Sequence, residues 1–143
     1  MFFTNQNETR LFFYSSWQKW QNRQPLTPLE EQIVTVITEH PEYHSFFTTP
    51  ATLESNYFSE LGETNPFLHL GLHLAIREQV ATNRPAGIAS LFQKLLKKNS
   101  NILDSEHIIM DYLAECLWVA QKEKAMPDET HYLNSLRRHI DSI

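Results

Sequence analysis

An all-α fold, a single-domain bundle of five or six helices with one long irregular connection, is predicted for residues 1–143 on three observations. Apolar residues recur with a helical period along most of the chain. Only three glycines are present, which disfavours a turn-rich β architecture. The prolines stand at the joints between periodic stretches.

Taken in order, residues 8–22 carry Phe13, Trp17 and Trp20 at i, i+4, i+7, an aromatic stripe for a first helix. Gln24-Pro25-Leu26 breaks it. Thr27-Pro28-Leu29-Glu30 is a helix start: Thr27 as N-cap, Pro28 in the first turn and Glu30 closing a capping box. Leu29, Ile33, Val36 and Ile37 form the buried stripe of this second helix, and His40 continues its face. Pro41 disfavours helical geometry at His40 and begins a short turn carrying Tyr43, His44, Phe46 and Phe47.

Residues 48–64 show no sustained period, and Leu53, Tyr57, Phe58 and Leu61 suit a packed clasp. Asn65 then caps a helix opening at Pro66. This helix is apolar almost all round, as a central helix should be, and Gly71 on it is expected to admit a close neighbour. After the break at residues 83–87, Ile88, Leu91, Phe92, Leu95 and Leu96 make a clean amphipathic set ending in Lys97-Lys98. Ser105 is expected to cap a fifth long helix with Ile109, Met110, Leu113, Leu117 and Trp118 inside. Pro127-Asp128 opens a last helix in which Tyr132, Leu133, Leu136 and Ile140 face inward.

Composition excludes more than it assigns. Hydrophobic residues make up 41% of the chain, enough to bury a core. A net charge of −5 offers no basic footprint for nucleic acid. No apolar run approaches the length of a bilayer span. A lone cysteine, Cys116, cannot build a disulfide framework, and residues 1–5 lack a signal-peptide pattern, so the expected location is cytoplasmic. With no Gly-x-Ser-x-Gly turn and no glycine-rich phosphate loop, nucleophilic and phosphate chemistry have little support. Glu78 on the central helix is expected to pair with Arg77 or Arg84.

The chemistry-bearing residues are histidines. His69 and His73 lie four apart on the central helix, a spacing that puts their Cβ atoms about 5–6 Å apart on one face. They are the first candidate ligands for a cation. His107, Asp111 and Glu115 recur at i, i+4, i+8 on the fifth helix, and either His107 or Glu115 is expected to complete the site. Asp111 or His40 would stand behind the ligands, and His44 lies close by. A nitrogen-rich set with one carboxylate suits zinc or iron, and an open position would permit metal-assisted hydrolysis or oxidation. The zinc-protease pattern HExxH is absent, since Leu70 stands where it needs glutamate. The competing reading makes these core histidines, hydrogen-bonded to backbone carbonyls or carboxylates, with His40 and His44 stabilising a turn.

Three segments together resemble a known family. They are His40-Pro41-Glu42-Tyr43-His44, the run from Gly62 to Ile76, and Arg84-Pro85-Ala86-Gly87-Ile88, joined by Trp118-Val119-Ala120-Gln121. The family is the bacterial one described as domain of unknown function 1841, and the resemblance runs over nearly the whole chain. It implies a small, soluble bacterial protein of one domain and carries no activity, ligand or site residue. Two hypotheses follow: a helical protein binding a divalent metal, or a non-catalytic interaction or assembly module that meets a protein partner or a second copy of itself.

Overall fold

A computed structural model describes residues 6–47 and 65–143. All regular structure in them is helical: α1 (Gln6–Gln21), α2 (Pro28–Thr38), a 3-10 helix (Pro41–Phe47), α3 (Pro66–Thr82), α4 (Ile88–Asn99), α5 (Ile102–Glu123) and α6 (Glu129–Ser142). The expected clasp of Leu53, Tyr57, Phe58 and Leu61 lies outside the described residues. The chain divides into two compact units, Met1–Leu74 and Ala75–Ile143, with the boundary inside α3. Among the described residues no helix is long and apolar enough to cross a membrane.

In the first unit α1 packs along α2, and the 3-10 helix contacts both. Phe13, Trp17, Ile33, Val36, Ile37, Phe47, Phe67 and Leu70 form its buried cluster. The start of α2 follows the capping-box expectation: the Glu30 amide donates to Thr27 Oγ1 at 3.3 Å, and the Thr27 amide donates to Glu30 Oε1 at 2.8 Å. The other carboxylate oxygen of Glu30 accepts from Lys19 Nζ at 2.7 Å, which ties α1 to the first turn of α2. That ammonium, with the Thr27 amide, holds the buried Glu30 carboxyl below its ordinary range. Trp20 departs from expectation. It is 43% exposed in the last turn of α1, its ring leaning on Trp17 with centroids 4.9 Å apart.

In the second unit α4, α5 and α6 contact one another pairwise. The predicted faces of α4 (Ile88, Leu91, Phe92, Leu95) and α6 (Tyr132, Leu133, Leu136, Ile140) are buried. Two expectations for α5 are corrected. The helix begins at Ile102, because the Asn101 side chain accepts from the Asp104 amide at 2.9 Å and caps it a turn early. Ser105 is interior, its hydroxyl donating to the Asn101 carbonyl at 2.8 Å. Leu117 and Trp118 are exposed, Trp118 at 59%. The buried stripe runs Ile109, Met110, Leu113, Cys116 and Ala120. At 100° per residue Trp118 stands about 140° around the helix from Leu113.

α3 yields two further corrections. At Gly71 nothing from another described element lies within 4 Å of where a Cβ would stand, so no described helix exploits it. Glu78 is exposed, and Arg77 instead clasps Glu106, Nε to Oε2 at 2.8 Å and Nη2 to Oε1 at 3.0 Å. Glu106 is only 2% exposed, so this bidentate pair accounts for a buried carboxylate that periodicity alone does not reveal. Nearby, the Tyr132 hydroxyl donates to Gln79 Oε1 at 2.8 Å, and burial pushes that phenol well above its ordinary range.

Candidate metal centre

The site in the first unit begins with the way α2 ends. In a continuing helix the His40 amide would bond the Val36 carbonyl. Pro41 turns the chain out of the helix, and the His40 amide bonds Ile37 instead, at 3.0 Å. The released Val36 carbonyl is taken by the imidazole of His40, whose Nδ1 lies 2.7 Å from it. A carbonyl only accepts, so Nδ1 carries the hydrogen and Nε2 presents its lone pair. His40 is 3% exposed, and that lone pair faces inward.

It faces His73. The two Nε2 atoms are 3.2 Å apart, and His73 Nε2 is also 3.3 Å from His69 Nε2, the i, i+4 partner on α3. One ring nitrogen from each of the three residues lies within 4.8 Å of the others. His73 is wholly buried and His69 half-buried. Tyr43 on the 3-10 helix closes one side, stacked on His40 with centroids 5.8 Å apart and edge-on to His69 at 5.7 Å. Burial, helped by the charge of Glu42, pushes the Tyr43 phenol above its ordinary range, so it stays neutral.

His73 Nε2 stands between two like atoms. A ring nitrogen either carries a hydrogen or presents a lone pair, never both in the ring plane. If His73 Nε2 donates to His40, it cannot also accept from His69. If it instead accepts from His69, its lone pair confronts that of His40 at 3.2 Å. A cation would take a lone pair from each of the three nitrogens at one centre. The hydrogen bond from His40 Nδ1 to a carbonyl is the outer contact by which metal-ligating histidines are commonly oriented.

The sequence candidates distribute unevenly. His69 and His73 meet as their spacing predicts, and His40 stands beside them with its own Nε2 in the group. His44 stabilises the turn: its Nε2 donates to the Ile37 carbonyl at 2.9 Å, and its ring packs 4.8 Å from Trp17. His107, Asp111 and Glu115 belong to α5 in the second unit, where Asp111 and Glu115 are exposed. Glu115 there borders a small cavity with Tyr112, Cys116, Asp128, His131 and Tyr132. Cys116 is packing, as expected, with Sγ 3.7 Å from the Asp128 carbonyl and burial pushing its thiol up. What sequence reading missed is the Val36 carbonyl, although the His40-Pro41 step is the signal that releases it.

A family profile matches residues 5–138, which include every one of these histidines. The chain belongs to the family described as domain of unknown function (DUF1841). No curated protein and no solved structure matches it. The family description states no activity, so the chemistry of this DUF1841 protein has to be argued from the histidines themselves.

Proposed function

We propose that this protein binds a divalent transition-metal ion, of the zinc or iron class, through His40, His69 and His73. The observation that carries the reading is the convergence of three imidazole nitrogens around His73 Nε2, at 3.2 and 3.3 Å, in a nearly dry setting. Histidines packed only for bulk have no reason to aim like atoms at one another, and a cation supplies one.

The test is elemental analysis of tag-free protein purified without chelator, beside His69→Ala/His73→Ala. Near-stoichiometric zinc or iron in the wild type, lost in the double variant, supports the reading. Metal in neither, with the double variant merely less stable, removes it. A second reading, an interaction module with structural histidines, then takes its place. It draws on the exposed apolar surface of α5, where Leu117, Trp118 and Val119 face solvent and Met126 follows.

A further inference from the structure

We infer that the centre is tetrahedral and selects zinc over metals that prefer six or planar ligands, an inference that rests on the metal-binding reading above. Two nitrogens on one zinc at about 2.0–2.1 Å stand about 3.3–3.4 Å apart across a tetrahedral angle. The same bonds at a right angle, as in octahedral or square-planar ions, would bring them to about 2.8–3.0 Å. The two separations at His73 Nε2, 3.2 and 3.3 Å, fit the first case.

Two features hold that spacing. His40 is held at Nδ1 by the Val36 carbonyl and stacked against Tyr43, which opposes a swing that would shorten an edge. His69 and His73 are fixed by the pitch of α3. Burial acts in the same direction. An octahedral ion held by three imidazoles needs several waters to complete its shell, whereas His40 and His73 lie almost wholly out of solvent. The donors named are neutral imidazoles with no carboxylate or thiolate among them, which disfavours magnesium and calcium on softness and charge together.

The consequence is an inverted preference. On unconstrained nitrogen ligands Ni2+ binds more tightly than Co2+. A tetrahedral cage reverses this, because Co2+ accepts four-coordination readily. The experiment titrates tag-free, chelator-stripped full chain with Co2+, Ni2+ and Zn2+, and records the visible spectrum of the cobalt form. Expected are the intense visible bands of four-coordinate Co2+, affinity for Co2+ about tenfold above that for Ni2+, and displacement of cobalt by zinc.

Stoichiometric binding with faint octahedral cobalt bands, or with Ni2+ the tighter, overturns the tetrahedral assignment and leaves metal binding standing. Binding of all three ions no tighter than to His73→Leu overturns both. Should His73→Leu fail to fold by circular dichroism, His69→Gln, at the half-buried position, serves as the reference.

Discussion

The histidine cluster of the first unit and the Arg77–Glu106 pair of the second solve one problem in different ways. Both put polar groups where water is largely excluded, and both draw on α3, where His69, His73 and Arg77 recur every fourth residue. In the ion pair each partner supplies what the other needs. Two guanidinium N–H groups meet two carboxylate oxygens, and the opposite charges offset the cost of burial. In the cluster, like groups face one another, with His73 Nε2 between the Nε2 atoms of His40 and His69. Buried polar residues that complement one another read as structure. Buried like groups that converge on one point are the feature on which the metal-binding proposal rests.

The largest expected effect breaks the complementary half. Arg77→Met, which strips Glu106 of its bidentate donor, is expected to cost about 3 kcal/mol in urea-unfolding experiments, the low end for a buried pair because Arg77 keeps some solvent access. Arg77→Met/Glu106→Leu should recover much of that loss. A double variant as unstable as the single would show that the pair is not the reason these residues are tolerated.

The other half should respond to ligand. Zinc at a hundred times its dissociation constant is expected to stabilise the wild type by about 2.7 kcal/mol, and chelator should reverse this. His73→Leu should lose that response. In metal-free protein the same substitution should cost less than about 1.5 kcal/mol, as a near-isosteric apolar replacement does. Equal loss with and without metal would make His73 an ordinary core residue.

Smaller effects test the frame around each region. Gly87 precedes α4 at φ +107°, with Arg137 Nη2 only 3.3 Å from where a Cβ would sit. Gly87→Ala should therefore cost about 1–2 kcal/mol by thermal unfolding. In the first unit, Thr27→Ala removes one arm of the capping box, for about 1 kcal/mol.

The Glu30 carboxyl gives the pH dependence. Its folded value lies below its ordinary value of 4.5, so its contribution is complete above that value and is lost as pH falls through the lower, folded one. Unfolding midpoints measured from neutral pH downward should show this as an acid limb that Glu30→Gln flattens. An unchanged limb would mean that the Lys19–Glu30 contact contributes nothing in solution.

How much of this was legible depends on how local each cause is. The capping box at Thr27, the faces of α4 and α6, and the i, i+4 convergence of His69 and His73 rest on neighbours within a turn or two, and each stands where the sequence puts it. The start of α5 was misread because Asn101 and Ser105 can both cap, and the choice falls to Asn101. Trp118 was misread because a short apolar run, Leu117-Trp118-Val119, is wider than the stripe that packing needs.

The sequence by itself determined that this protein is helical, where most of its helices begin, and that two histidines share a face of α3. Their causes are short-range: backbone hydrogen bonds, caps and the 3.6-residue period. Only the tertiary structure decided that His40, 33 residues before His73, brings its Nε2 to 3.2 Å from it, and that Arg77 turns to Glu106 rather than Glu78. Those choices belong to packing, because the partner of a buried polar atom is whichever group the fold delivers within hydrogen-bond reach.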